Sequence, residues 1–400
     1  MPATPRQFDV IILGAGAAGL MCAARAAQRG RRVALLEHNG QPGRKILISG
    51  GGRCNFTNLH CGPGNFLSEN KHFAKSALAL YQPQHFIELV ERYGIRWHEK
   101  TLGQLFCDGS ARAILDMLLA ECERATDTQG CVELVLNSHG IQVEHTSGGF
   151  RVSSSSGELQ ASSLVVATGG LSIPKMGATG LAYDLARQFG LAVVAPRPAL
   201  VPLVLGGEEA GWTALAGVAT EVVARAGNAK FREKMLVTHR GLSGPAILQA
   251  SSYWRPGEEL LLDLAPDSPS RGGVLGALLQ PGARRDEAAL RQALREVLPQ
   301  RLASYLAQVG VTTGWSNPAI EAAERRLHRW PLHPIGTEGF EKAEVTAGGV
   351  NTDGLQARTL EARAVPGLFF IGEAVDVTGH LGGFNFQWAW ASGAAAGRAV

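Results

Sequence analysis

Residues Phe8 to Glu37 read FDVIILGAGAAGLMCAARAAQRGRRVALLE. Phe8 to Leu13 is a near-continuous apolar run closed by a glycine turn, the pattern of a strand buried on both faces of a parallel sheet. Ala17 to Gln28 is rich in alanine and leucine and stops at Gly30, which predicts a helix. Val33 to Leu36 is a second apolar run, and Glu37 closes it about 20 residues past the first glycine. The stretch is a β-α-β unit whose turn carries Gly14, Gly16 and Gly19 at G-x-G-x-x-G spacing. Each glycine has its own physical role. Gly14 makes the tight turn, Gly16 lets backbone approach a pyrophosphate, and Gly19 lets helix and strand pack closely. The helix amides then face the phosphates. Glu37 is placed to accept hydrogen bonds from a ribose, a role that disfavours a 2′-phosphate there.

Composition narrows the class. The 400 residues suit two or three domains, and 45% apolar with 18% charged residues at a mean hydropathy of +0.02 argues for a globular chain. The first apolar stretch is interrupted by glycines and Arg25 and is too short for a membrane span. It follows the acidic Asp9 rather than a basic region, so it does not read as a signal peptide, and the expected location is the cytoplasm with no membrane partner. A net charge of +3 argues against a nucleic-acid footprint, although a pI of 8.6 leaves weak binding open. The six cysteines, Cys22, Cys54, Cys61, Cys107, Cys122 and Cys131, form no C-x-x-C pair, which speaks against a disulfide scaffold, a zinc ribbon and a redox dithiol. Glycine is the anomaly, 50 of 400 residues and clustered.

The densest cluster is SGGGRCNFTN, Ser49 to Asn58, preceded by Gly43, Arg44 and Lys45. Consecutive glycines free φ and permit close approach of a flat or charged ligand, so the run reads as irregular; Arg44, Lys45 and Arg53 supply countercharge for phosphates. Helices are expected around Pro83, a strand pair near Arg96 to Phe106, and a helix from Ala111 to Arg124. Val132 to Val143, Gly149 to Ser153 and Leu159 to Ala167 read as strands, the last delivering Thr168, Gly169 and Gly170 at its carboxyl end, where ligands bind in open α/β sheets. After Pro196 the chain turns to alternating segments that suit a small antiparallel barrel or sandwich, followed by helices over Asp286 to Val297, Arg301 to Gln308 and Ala319 to Arg329. PDSPSRGG, Pro266 to Gly273, is linker-like. The last 60 residues read as a turn-rich segment (AEVTAGGVNTDG), a buried strand Leu368 to Ile371 and a closing helix from about Asn385.

These motifs resemble the BaiN-like (YhiN-type) NAD(P)/FAD-dependent oxidoreductase family of bacterial flavoproteins, which includes aminoacetone oxidase-like FAD-binding enzymes. The carriers are GAGAAGL (Gly14 to Leu20), GRKILISGGGRCNFTN (Gly43 to Asn58), ATGG (Ala167 to Gly170), THRGLSGPAIL (Thr238 to Leu248), VTAGGV (Val345 to Val350) and GGFNFQWAWASG (Gly382 to Gly393). The resemblance implies an α/β fold: a Rossmann-like, mostly parallel FAD/NAD(P)-binding domain at 1–194 and 343–400. An inserted domain would occupy 195–342, with a β-barrel at about 195–270 and helices at about 280–335. It implies FAD contacts from Gly14, Ala15, Gly16, Ala17, Ala18 and Gly19 at the pyrophosphate and from Glu37 at the ribose. Arg44 and Lys45 would follow, with Ser49, Gly50, Gly51, Gly52, Arg53, Cys54 and Asn55 nearing the flavin. Gly140 would meet the adenine through its backbone, and Thr168, Gly169 and Gly170 would line the strand end. Gly372, Glu373 and Asp376 would approach the ribityl and phosphate groups, and Gly383, Phe384 and Asn385 would head a helix aimed at the isoalloxazine. A helix amino terminus there would stabilise reduced flavin.

The implied function is hydride transfer between flavin N5 and a small organic substrate. No second G-x-G-x-x-G follows a strand, so NAD(P)H would dock transiently as reductant; an amine oxidase using O2 is the competing enzyme reading. A non-catalytic flavoprotein, and an FAD-dependent modifier of tRNA or another macromolecule, are the readings from other classes. No acid–base pair stands out. Cys54 reads either as a thiolate nucleophile or as a small filler beside the ring, and His239 and His380 either as proton donors or as turn scaffold. Ser243 reads as a helix cap, Trp388 and Trp390 as core, and Arg29, Arg31 and Arg32 as a solvated helix end. Neither substrate nor oligomeric state is readable.

Overall fold

The computed structural model describes residues 5–124, 129–268 and 273–400. The chain forms two compact units, Met1–Arg197 with Val345–Val400, and Pro198–Glu344, each with its own apolar core.

The first unit is built on a seven-stranded sheet. Cys131–Val135, Arg32–Leu36, Arg6–Leu13 and Gly157–Val166 lie side by side in parallel. The carboxyl half of Gly157–Val166 also pairs in parallel with Leu368–Phe370, and its amino half pairs antiparallel with Gly149–Ser154, which continues to Gln142–Thr146. Val10 to Leu13 and Val33 to Leu36 are fully buried, as parallel strands covered on both faces must be. The helix Ala17–Ala27 covers one face, and the sixteen-residue helix Phe384–Ala399 packs on it. Glycines permit that contact: a Cβ on Gly393 would stand 2.5 Å from the Ala18 carbonyl oxygen. Trp388 and Trp390 are core, and their indole N–H groups donate to the carbonyls of Gly372 and Phe56 at 2.9 and 2.8 Å.

Two local expectations change and a third is sharpened. VTAGGV is a buried strand, Val345–Val350, paired with Val193–Ala199 rather than a turn-rich segment. Gly348 and Gly349 keep it extended at positive φ where a Cβ would lie 2.5 Å from Ala195 O and 2.6 Å from Ala374 O. Arg29 and Arg31 are not merely solvated, because their guanidinium groups donate to the Val400 carbonyl oxygen at the end of the long helix, where its dipole is negative. The triple-glycine segment is part of a helix assigned over Arg44–Gly52, yet Ser49, Gly50 and Gly51 have non-helical dihedrals. The ordered turn therefore reaches up to the glycines and breaks at them.

The second unit is a seven-stranded antiparallel sheet in the order Trp330–Leu332, Leu260–Asp263, Ala219–Ala226, Ala229–Val237, Gly241–Ser243, Leu203–Val204, Gly336–Thr337. Its two edge strands are joined by only His333, Pro334 and Ile335, a span of at most about 14 Å. The sheet therefore curls until its edges face each other. Helices Glu287–Arg295, Gln300–Gln308 and Asn317–Leu327 complete the unit; Asp286 and Ser316 cap the first and third by accepting the amides of Ala289 and Ala319. Residues 269–272 of the linker-like stretch lie outside the described residues. Among the described residues no helix is long and apolar enough to cross a membrane.

Candidate FAD-binding site

The site begins with register. Leu13 stands opposite Leu36 on one side and Val166 on the other, so Gly14, Glu37 and Ala167 leave three adjacent strand ends together. Gly14 N donates to Leu36 O at 2.7 Å and Ala167 N to Leu13 O at 2.8 Å. Gly14 adopts φ +101°, and a Cβ there would lie 2.6 Å from Ala167 O; one on Gly19 would lie 1.9 Å from Gly14 O. Gly16 differs, since a Cβ there meets no atom within 4 Å. It caps the helix without a side-chain bond, and the first turn, Ala17, Ala18 and Gly19, carries no acid, which leaves an electropositive amide end facing open space.

Glu37 is buried beside that end. One carboxylate oxygen accepts the Ala15 amide at 2.9 Å, and the other accepts the Asn39 amide and side chain at 3.0 and 2.8 Å. A carboxylate has about four acceptor positions, so the first oxygen keeps capacity for a ribose hydroxyl. The Ser138 amide donates to Glu37 O at 2.9 Å, whereas Gly140 lies exposed two residues further on. Arg44 donates to Asn39 Oδ1 at 2.6 Å and to Met176 O at 3.2 Å.

A second cluster joins four chain segments. Lys45 Nζ lies 2.7 Å from Ser172 Oγ and 2.9 Å from Glu373 Oε2, while Glu373 Oε1 accepts the Ser172 hydroxyl and the Thr346 amide. Thr346 Oγ1 accepts the amides of Leu171 and Ser172. Burial alone would raise the Glu373 pKa, but the Lys45 ammonium and the Ser172 and Thr346 donors outweigh it and hold the carboxyl below its ordinary value. The charge of Lys45 is thus compensated inside the protein. Gly170 is glycine because a Cβ would sit 2.5 Å from Thr346 Oγ1, and Gly169 turns at φ +76° beside it. Thr168 Oγ1 is buried with no hydrogen-bond partner. Thr346 and Ser172 escape a residue-level reading because neither type is distinctive; only the VTAGGV motif marks the former.

Around the triple glycine, Arg53 is exposed while Cys54 is fully buried at φ +49°. Burial pushes the Cys54 thiol up to about 12, so it is a neutral filler at physiological pH and the thiolate reading falls. Asn55 lies against Gln104 at 2.9 Å, and Thr57 donates its hydroxyl to Gln387 of the long helix at 2.7 Å. A Cβ on Gly383 would stand 2.4 Å from Thr57 O, which seats the start of that helix, Phe384 and Asn385, on the strand Asn55–Asn58. Asn385 Oδ1 accepts the Gly379 amide at 2.8 Å.

Gly372 sits at φ +66°, its amide donating to Ser392 Oγ at 3.0 Å. Asp376 is buried and accepts the Glu69 amide at 2.8 Å, and burial raises its pKa. Burial lowers the His380 pKa to about 4. In the second unit His239 is exposed, and Ser243 ends a strand rather than capping a helix, because Gly244 at φ +87° takes the cap of the short helix Pro245–Ser251.

The donor set fits FAD. An uncapped helix end faces an open cradle at Gly16 for a pyrophosphate, a buried carboxylate with spare acceptor capacity stands at the end of the next strand, and Thr168 offers an unspent buried hydroxyl.

Fold and turn define a Rossmann-type nucleotide-binding protein. The family model described as "HI0933-like protein Rossmann domain" matches residues 8–399, and the chain belongs to that family, the BaiN/YhiN type, a family of FAD-binding oxidoreductases. The chain is 49% identical over 395 residues, 96% of each chain, to a protein of Escherichia coli K12 named ribosomal RNA dihydrouridine synthase. It is 29% identical, over 97% of this chain and 98% of the other, to the 3-dehydro-bile acid delta(4,6)-reductase of Clostridium scindens. Among solved structures, a quinol-fumarate reductase with menaquinol molecules shares the fold with a TM-score of 0.50 at 17% identity, covering 99% of this chain and 71% of that one.

Proposed function

We propose that the protein is an FAD-dependent reductase that converts uridine to dihydrouridine in ribosomal RNA. The observation that carries this reading is the 49% identity, across 96% of both chains, to the E. coli enzyme of that name. It favours the macromolecule-modifier reading of the sequence over a small free substrate.

Uridine becomes dihydrouridine when its C5=C6 bond gains a hydride at one carbon and a proton at the other. FAD held in this site, with a two-electron donor of the NAD(P)H class, would supply that hydride. The chain's own residues bind and orient. Gly14 to Gly19 would present backbone and helix amides to the pyrophosphate, and Glu37 would accept from the ribose. The Lys45–Glu373–Ser172–Thr346 cluster fixes the loop that carries Thr168 to Gly170. His380, held neutral by burial, carries no imidazolium proton at pH 7.

The test is nucleoside mass spectrometry of ribosomal RNA from the native host, with the gene deleted and then restored. Dihydrouridine that disappears on deletion and returns with the gene is the expected result; an unchanged level overturns the proposal. Anaerobic titration of the purified flavoprotein with NADH and NADPH identifies the donor through bleaching of the flavin band, whereas a reduced flavin that turns over only with O2 would restore the oxidase reading.

A further inference from the structure

The hairpin Trp97–Glu99 and Gln104–Cys107 turns through Thr101, Leu102 and Gly103, with the Gln104 amide donating to Thr101 O at 3.1 Å. Both central residues have positive φ, +53° at Leu102 and +76° at Gly103. Such turns favour Asn-Gly, because a Cβ at the first position is strained. Here the first position holds a leucine, and its side chain is 62% exposed. Strain with no compensating burial points to a contact outside the chain.

The turn is held in place. Buried Asn58 donates through Nδ2 to Leu102 O at 3.0 Å and to Gly382 O at 2.9 Å, and its Oδ1 accepts the His60 amide. The Leu59 amide donates to Gly103 O at 2.8 Å. Leu59, 42% exposed, therefore stands on the neighbouring loop tip, and both tips are fastened to the turn that starts the long helix. The acids here are engaged and the bases are not. Glu99 accepts the Gly103 amide and Asp108 is paired with His98, while Arg53, Arg96 and Lys100 are exposed and have no acidic partner among the described residues, the Lys100 ammonium lying over the Phe106 ring at 5.3 Å, and the exposed His60 offers a further polar ring.

We propose that Leu102, seconded by Leu59, is a wedge that enters the base stack of the RNA, with Lys100, His60, Arg53 and Arg96 set along the backbone phosphates. The inference rests on the rRNA reading above. An enzyme that works on a base must take it out of the stack, and proteins that unstack bases insert apolar side chains between steps while cations hold the phosphates. The wedge stands beside Gly382 and Gly383, the turn expected at the flavin, so a uridine displaced by it is delivered to that end of the site.

The experiment compares two RNAs with the intact flavoprotein, a reductant, and mass spectrometry of dihydrouridine: ribosomal RNA purified from cells lacking the gene, and oligo(U), which is already unstacked. Leu102→Gly removes the wedge and the strain together. The ratio of product on ribosomal RNA to product on oligo(U) is expected to fall at least about tenfold, corresponding to about 1.4 kcal/mol of unstacking no longer supplied. Leu102→Met, which keeps a long apolar tip, retains the ratio. Flavin content and melting temperature of each variant report folding. An unchanged ratio in Leu102→Gly overturns the wedge while leaving the rRNA activity standing. A wild-type protein that forms dihydrouridine on neither RNA removes the functional reading, and the wedge with it.

Discussion

Two glycine clusters on the first unit solve the same problem by different means. In the turn Gly14–Gly19, the crowded glycines press on backbone of adjoining strand and helix: Gly19 on Gly14 O, Gly14 on Ala167 O. In the run Gly50–Gly52, the crowded glycine meets a ring distant in sequence as well as the nearby Asn55 amide. A Cβ on Gly50 would stand 2.8 Å from the Phe106 ring, whereas Gly51 has nothing within 4 Å. Each cluster thus holds glycines that packing demands, Gly14 and Gly19 in the first and Gly50 in the second, and one that faces open space, Gly16 and Gly51. The difference lies in the partner: the first turn presses on backbone, within its own β-α-β unit and at Ala167 beyond the neighbouring parallel strand, whereas the second is set by the ring of a hairpin fifty residues further along and by an ion pair to the far end of the chain.

The largest effect belongs to the first cluster. Gly19→Val forces a Cβ against a carbonyl oxygen 1.9 Å away, and the helix must leave the strand. A loss above about 4 kcal/mol is expected, seen as insoluble or flavin-free protein; a variant that melts like wild type would break the close-packing account. Next is Lys45→Met, which leaves the Glu373 carboxylate without its cation. With the pair partly accessible, at side-chain exposures of 34% and 20%, the cost is about 1–3 kcal/mol at pH 7. Its pH dependence has a sign. Glu373 is held below its ordinary pKa in the folded protein, so its contribution is present above about pH 4.3, the unfolded value, and is lost as pH falls through the folded one. Thermal melts should show the gap between wild type and variant widest at neutral pH and closing in acid. A gap that widens in acid would remove the ion pair from the account.

Distance along the chain explains what the sequence can tell. The turn from Phe8 to Glu37 is legible because its strands, helix and acid lie within one supersecondary unit whose spacing is set by strand and helix periods, although Gly14 also closes on Ala167 far along the chain. The buried strand Val345–Val350 reads as turns in the sequence because its two glycines are punctuation in one dimension and close approach in three. The cluster around Glu373 is invisible there as a cluster, since Lys45, Ser172, Thr346 and Glu373 are brought together only by the sheet. Cys54 shows the same limit for chemistry. Beside Arg53 it could be a thiolate; only burial decides that it is not. Cys54 in the folded flavoprotein should therefore resist iodoacetamide at pH 8 and react after denaturation, with Cys54→Ala keeping its flavin. Rapid modification of the native thiol would return Cys54 to the candidates for chemistry.

The smallest effect on stability carries the sharpest statement about ligand. Gly16→Ala adds a methyl where no atom lies within 4 Å, and at a helix cap alanine is less favourable than glycine by only about 0.5 kcal/mol. Gly51→Asn adds a side chain in similar open space at φ +67°, a conformation that asparagine tolerates. Both variants should therefore melt within about 2 °C of wild type when stripped of flavin, a shift of well under 1 kcal/mol. If the pyrophosphate lies against Gly16, that variant loses FAD affinity by about tenfold or more, since even a small clash at a backbone-contact site costs about 1.4 kcal/mol. Gly51→Asn separates the two clusters further. A matching fall in FAD affinity places the triple glycine against the cofactor, as the resemblance implies, while undiminished flavin with altered reactivity toward RNA would move it to the substrate side.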